Sequence, residues 1–320
     1  MRTPKHWQNM NFTAGALYLP SCLYALATKL RLKFHKPKKA NVPVVCIGNL
    51  TAGGSGKTPV AISVDKILKQ MGKAPFFVSR GYGGSLFDVV VDRNKHSPND
   101  VGDEPLLLAN EAPVVVNYKR YDGAVKAVAN GADVIIMDDG FQNPGLYKDK
   151  SFLVIDGNVG MGNLCPIPAG PMREFLSDGL KRASAVILLG DDKTGILSKL
   201  GNLPVFRGSV VPVFPKEVKK QSIAFAGIGR PQKFYQSLKD CKVNVIKTID
   251  FPDHHFYDRK ELQSIIDEAQ KLEADIFTTS KDMVKIPADM RNYFKVLEIE
   301  IKWQDETKLK DFLADLFKGA

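Results

Sequence analysis

A mainly parallel α/β sheet with helices on both faces, plus a smaller second α/β unit, is the fold this sequence predicts. Three observations predict it. An apolar, β-branched run at residues 44–48 enters a glycine-rich turn that ends in Gly56-Lys57-Thr58 and opens a helical pattern. Short uninterrupted apolar runs then alternate with helical stretches as far as residue 189, as strands buried on both faces do. After a stretch rich in proline and valine at 204–220, the alternation starts again.

The elements follow in order. Residues 1–64 contain no Asp or Glu, while Arg2, Lys5, Lys29, Arg31, Lys33, Lys36, Lys38, Lys39 and Lys57 are basic. Within them, residues 17–32 are apolar with aromatic punctuation and then basic. The run is shorter than the roughly 20 uninterrupted apolar residues of a spanning helix, and Pro20 interrupts it. A helix lying at a membrane surface, cations among acidic headgroups, fits residues 1–40. An amphipathic helix packed on the protein itself is the alternative. An export signal is disfavoured, because a nucleotide loop so close behind it would be carried away from its nucleotide.

Residues 41–206 form the predicted core. A strand at 44–48 leads through Thr51, Ala52, Gly53, Gly54, Ser55, Gly56, Lys57 and Thr58 into a helix with Val60, Ile62, Val64, Ile67 and Leu68 as its apolar positions. That is the strand–loop–helix context of a nucleotide-phosphate cradle. Glycines let backbone N–H groups converge on one anion, Lys57 reaches the outer phosphates and the Thr58 hydroxyl suits magnesium. Thr51 stands where the usual loop has its first glycine. Further strands are expected at 74–78, 89–91, 113–116, 132–137, 151–156 and 183–189, with helical stretches around 106–109 and 123–129. Residues 207–320 are expected to form the second unit, joined by a ribbon-like connection. Its strands are placed at 222–227, 243–249 and 275–279, and its helices at 231–238 and 259–272.

Ligands of open α/β sheets sit beyond the carboxyl ends of strands, so the residues there carry the chemistry. Besides the loop, Asp138-Asp139-Gly140-Phe141-Gln142 follows a strand, and one of its carboxylates is placed to hold magnesium. Gly102-Asp103-Glu104-Pro105 precedes a helix, where Asp103 is either an N-cap or a functional acid. Asp253-His254-His255 follows another strand, and no further His or Cys at zinc-ligand spacing accompanies it. Phosphoryl transfer to a hydroxyl needs a cradle, magnesium, a proton acceptor and cations. Lys57 and Thr58, Asp138 or Asp139, Asp103 or a histidine, and Arg80, Arg120 or Arg173 supply these. Ser280-Lys281-Asp282 lacks the intervening residue of a guanine-reading Asn/Thr-Lys-x-Asp string, which points to ATP.

Net charge is +10, so an anionic partner is expected. The cations cluster beside an apolar segment and not among interleaved aromatics, which argues against nucleic acid. The four cysteines show no metal or disulfide spacing, as suits a reducing cytosol. No obligate protein partner is evident. A slow ATP-hydrolysing switch that acts through a partner is the rival reading, and a requirement for an acceptor would separate the two.

The string from Gly48 to Pro59 resembles the start of the tetraacyldisaccharide 4'-kinase family, the lipid A pathway kinases of Gram-negative bacteria, which also carry threonine at the position of Thr51. The likeness continues through residues 79–84, 102–105, 138–142, 168–174, 225–229 and 253–255. It implies ATP- and magnesium-dependent phosphorylation of the 4'-hydroxyl of a tetraacylated glucosamine disaccharide 1-phosphate, giving lipid IVA. It also implies peripheral attachment to the cytoplasmic face of the inner membrane and a site between two α/β domains. Carried over, Asp103 becomes the general base paired with His254, while Asp138, Asp139 and Glu104 join Thr58 at magnesium. Arg80, Tyr82, Arg120, Gln142, Arg173 and Glu174 become substrate or phosphate contacts. Asn143, Cys165-Pro166 and Ser280 depart from the family pattern.

Overall fold

The computed structural model describes residues 4–215 and 218–318; Arg2, counted among the basic residues above, lies outside them. In chain order the first strands are β1 (Val44–Gly48), β2 (Pro75–Ser79), β3 (Val89–Val90), β4 (Val114–Val116), β5 (Val134–Asp138), β6 (Lys150–Asp156), β7 (Ala185–Leu189) and β8 (Val205–Val213). Then come β9 (Ser222–Ala226), β10 (Val245–Asp250), β11 (Asp275–Thr278), β12 (Lys295–Val296) and β13 (Glu298–Trp303). The helices are α1 (Phe12–Ala16), α2 (Tyr18–Phe34), α3 (Lys57–Gln70), α4 (Pro98–Val101), α5 (Asp103–Leu108) and α6 (Arg120–Ala129). They continue with α7 (Leu176–Leu180), α8 (Pro231–Asp240), α9 (Arg259–Lys271), α10 (Ser280–Met283) and α11 (Glu306–Ala314).

A nine-stranded sheet runs in the order β13-β8-β7-β6-β1-β5-β2-β4-β3, and a four-stranded one in the order β10-β9-β11-β12. Pairing is parallel from β8 to β4, and only the two edges, β13 on β8 and β3 on β4, are antiparallel. The reason lies in the strands' composition. Every residue of β1, β2, β4 and β5 is buried, and successive side chains point to opposite faces. Val45, Ile47, Val134 and Ile136 pack on one side with Val60, Val64 and Leu68 of α3. Val44, Cys46, Ile135 and Met137 pack on the other with Ala124 and Ala127 of α6. Because β1 lies between β6 and β5, the crossovers diverge there and open a crevice at the strands' carboxyl ends.

The boundary expected at residue 207 needs correction. β8 spans it as a parallel neighbour of β7, and β13 and α11 return to the large sheet after the second unit. Ile301, Trp303, Leu309 and Leu313 are buried in the same core as α3. The Trp303 indole donates to Ser63 Oγ at 2.8 Å, and Lys66 pairs with Glu300 at 2.9 Å. The second sheet thus spans 222–296 as an excursion between two strands of the first.

Helix α2 docks through its small residues. Ser21, Ala25 and Thr28 are buried at helical spacing, and Ser21 Oγ accepts from Ala169 N at 2.8 Å. Lys29 pairs with Asp178 at 3.0 Å. The rest of the helix surface leaves Leu19, Leu23, Leu26, Leu30 and Phe34 exposed, with Phe12 of α1 beside them in sequence at 92% exposure. None of the described helices is long and apolar enough to cross a membrane.

Candidate active site

The loop after β1 is built as its sequence requires. Gly56 caps α3 with φ of 87°, a left-handed conformation that favours glycine, and a Cβ there would lie 2.5 Å from Leu189 Cδ1. No described side chain caps the helix, so its first-turn N–H groups and positive dipole end face the loop. Thr51 sits in an extended bridge with Met172, and Ala52 N donates to Pro171 O at 2.7 Å. An extended residue needs no glycine, which accounts for threonine at this position. Asn49 Nδ2 donates to Ser55 Oγ at 3.0 Å across the base of the loop.

The β1–β5 register, Ile47 opposite Asp138, brings the aspartate pair beside the loop. Thr58 Oγ1 donates to Asp138 Oδ2 at 2.9 Å. Asp138 Oδ1 is buried and has no hydrogen-bond partner among the described residues. Burial above all, then the charges of Glu104 and Asp139, push this carboxyl up to about 7 against the pull of Lys57. Asp139 takes a left-handed turn, φ 52°. It receives Arg173 through two contacts of 2.9 and 3.2 Å and lies 3.8 Å from Lys57 Nζ. Burial would raise its pKa, but Lys57 and Arg173 hold it below the ordinary carboxylate range.

A buried acceptor without a partner, beside a hydroxyl at the mouth of a phosphate loop, fits a magnesium ion. Thr58 and Asp138 are the donors that fit. Asp139 is committed to Lys57 and Arg173, and Glu104 Oε1 lies 3.4 Å from Lys281 Nζ. Among the described residues no three His, Cys, Asp or Glu side chains group to hold a metal on their own. Magnesium commonly keeps waters and substrate phosphates in its shell.

Of the remaining predicted groups, Asp103 belongs to the unit of the large sheet and His254 to that of the other. Asp103 opens α5, so it is a helical residue and not the N-cap, a place Gly102 takes. Its Oδ2 lies 2.9 Å from His254 Nδ1, although 151 residues separate the two, and its Oδ1 accepts from Glu104 N. Lys281 Nζ is 3.3 Å from His254 Nε2, 3.8 Å from Asp103 and 3.4 Å from Glu104. An ammonium has no acceptor, so we assign Nε2 as the accepting nitrogen and Nδ1–H as the donor to Asp103. Burial would raise the Asp103 pKa, but the His254 hydrogen bond and the Lys281 charge lower it below the usual range. The same hydrogen bond raises His254, opposed by burial and by Lys281.

Lys281 is the group that sequence reasoning passed over; its signal was its place directly after a buried strand. Asp282 next to it is buried and accepts from Gly227 N, Tyr257 Oη and Thr279 Oγ1 at 3.1, 2.8 and 2.7 Å. That network fixes both the Gly227 loop and the start of α10. His254 N in turn donates to Gly227 O at 3.2 Å.

The outer candidates divide. Gln142 accepts from Arg173 at 3.2 Å and donates to Asn49 O at 2.9 Å. Tyr82 is exposed and meets His254 edge to face at 5.8 Å between centroids. Arg80 is exposed at the end of β2. Arg120 is buried, donates to Asn117 O, and is lowered to about 10 by burial and then by Arg80. Glu174 is buried and gripped by Arg182 with both oxygens at 2.7 Å, so it braces Gln142 from behind and does not line the crevice.

Comparison with known proteins follows the same lines. The sequence profile described as tetraacyldisaccharide-1-P 4'-kinase matches residues 13–318. A tetraacyldisaccharide 4'-kinase of Rhodospirillum centenum is 43% identical over all of this chain and 98% of its own length. That of Paramagnetospirillum magneticum is 42% identical over 95% of each chain. A crystal structure of LpxK from Aquifex aeolicus in complex with ATP superposes with a TM-score of 0.78. It is 28% identical and covers 95% of this chain and 99% of its own.

Proposed function

The chain belongs to the tetraacyldisaccharide-1-P 4'-kinase family, and we propose that the crevice between its two sheets is where the family's transfer takes place. The protein is an ATP-dependent kinase of lipid A biosynthesis, which moves a phosphoryl group to the 4' position of a tetraacyldisaccharide 1-phosphate. The observation that carries the reading is the meeting, at 2.9 Å, of Asp103 from the unit that bears the phosphate loop with His254 from the other unit.

In this reading the amides of residues 51–58 and Lys57 hold the ATP phosphates. Thr58 and Asp138 would hold magnesium, which would supply positive charge to screen the phosphates. Asp103 keeps free lone pairs beside its two existing hydrogen bonds, and one of them takes the proton of the 4'-hydroxyl. Its low basicity suits a loose transition state, in which the proton leaves late. His254 fixes the carboxylate's direction, and Lys281 fixes the histidine's tautomer. Arg80, Tyr82, Arg120, Gln142 and Arg173 line the route for substrate or phosphate oxygens, with Glu174 bracing Gln142.

The exposed apolar side of α1 and α2, flanked by Lys33, Lys36, Lys38 and Lys39, lies on the acidic cytoplasmic surface of the inner membrane and meets the lipid substrate there. The test is incubation with ATP and the disaccharide, followed by mass spectrometry of the lipid. A product heavier by one phosphoryl group is expected from the wild type and none from Lys57→Ala. Asp103→Asn should lose about 10²- to 10⁴-fold in kcat while remaining folded. Wild-type turnover by either variant would remove the site assignment.

A further inference from the structure

Arg230 stands at the start of α8 in the second unit, yet its side chain reaches the first. A Cβ on Gly53, in the crown of the phosphate loop, would lie 4.0 Å from Arg230 Nη2. The guanidinium is also 4.0 Å from Asp156 Oδ2, at the end of β6 next to β1. That carboxylate is already engaged: Oδ2 by Lys233, and Oδ1 by the Asn158 amide at 3.1 Å. An ion pair at 4.0 Å is at the limit of contact. Among the described residues the Arg230 guanidinium makes no hydrogen bond, although its side chain is only about one-third exposed at 31%. One carboxylate thus faces two cations, and a net positive charge is left over at the loop.

The backbone explains why the side chain reaches so far. Arg230 follows Gly227-Ile228-Gly229, the segment that Asp282 grips at Gly227 N. The same segment holds His254 through Gly227 O. Whatever pulls Arg230 toward the loop therefore acts on the strand end that carries the histidine.

We propose that Arg230 is a cation that the second unit contributes to the nucleotide, its guanidinium leaving Asp156 to grip the terminal phosphate of ATP at Gly53. The inference rests on the reading of ATP as donor. Gly53 leaves the approach open because it has no side chain, and its φ of 115° disfavours one. A planar fork of donors matches phosphate oxygens better than a point charge does. Charge that builds on the transferring group is stabilised in the same way by arginines supplied from a second element. Binding of the terminal phosphate would in this way draw the histidine's anchor toward the loop.

The test compares wild type and Arg230→Gln, both full length. Titration calorimetry would use the β,γ-imido analogue of ATP and ADP, each with magnesium, and turnover would be measured at saturating acceptor. The expected result is about a tenfold loss of affinity for the triphosphate, ADP affinity within about twofold, and kcat lower by about 10²-fold or more. Equal losses for both nucleotides, or triphosphate affinity and kcat within about twofold of wild type, would overturn the proposal. Arg230→Met, which keeps the stem's packing, carries the same test if the glutamine variant folds poorly. A wild type that binds neither nucleotide would instead overturn the donor reading beneath the proposal, and the proposal with it.

Discussion

Asp138→Asn should leave the protein inactive and more stable at the same time. The carboxyl is buried and displaced from its ordinary value of 3.8 to about 7. That displacement corresponds to about 4 kcal/mol of unfavourable folded-state charge once the pH exceeds both values. Asparagine keeps an acceptor for Thr58 Oγ1, and the attraction to Lys57 is already contained in the raised value. Its amide would be buried without an acceptor where Oδ1 stood, which costs about 2 kcal/mol and leaves about 2 kcal/mol of net stabilisation. With an unfolding entropy of about 2 cal/mol/K per residue, the melting temperature should rise by about 3 °C. The sign follows from linkage. The folded-state pKa is raised, so the penalty is absent below the unfolded pKa, builds between the two values and is complete above the folded one. Thermal melts without magnesium or nucleotide should show an advantage of the variant at pH 8 that has largely gone at pH 5. An asparagine variant less stable than wild type at pH 8, or an advantage independent of pH, would refute the reasoning. Activity should be lost at every pH, because the unpartnered oxygen that fits magnesium is gone.

Three further outcomes are expected. His254→Gln should lower kcat and remove a small stability increment, about 1 kcal/mol or less because the side chain is 34% exposed. Since the His254 pKa is raised above 6.5, chiefly by Asp103, the increment is present in full below pH 6.5 and fades as pH rises through the folded value; denaturant melts at pH 5.5 and pH 9 check this. Leu313→Ala should cost about 2–5 kcal/mol and lower the melt of the whole nucleotide-binding core, since α11 packs on α3; a loss confined to residues 222–296 in hydrogen exchange would contradict the placement of α11. Replacing Leu19, Leu23 and Leu30 with Asp together should abolish sedimentation with acidic vesicles and change the melting temperature by less than about 2 °C, because all three are exposed; a large drop in melting temperature would mean that this face packs on protein.

Much of the core was legible because its signals are local. The apolar run of β1 and the glycine turn occupy adjacent residues, and a helix start fixes where amides point. The strand end at Asp138 could be read from an unbroken apolar run, whereas β10 before His254 is mostly exposed. The ends of the second unit were harder. β8 buries only Phe206 and Gly208 and contains Pro212, so it reads as a connection until β13 pairs with it. β13 and α11 carry modest apolar patterns and pack on α3, more than 200 residues earlier, as Trp303 on Ser63 shows.

For this protein the sequence by itself determined the phosphate loop, the parallel core and the candidate side chains for phosphoryl transfer, because each depends on a few consecutive residues. Tertiary structure alone decided which of those side chains meet. It set Asp103 against His254 and Lys281, turned Glu174 inward onto Arg182, and left one oxygen of Asp138 without a partner. The physical reason is that β-sheet register and the return of the chain to the large sheet set distances between residues far apart in sequence, and no local pattern encodes those distances.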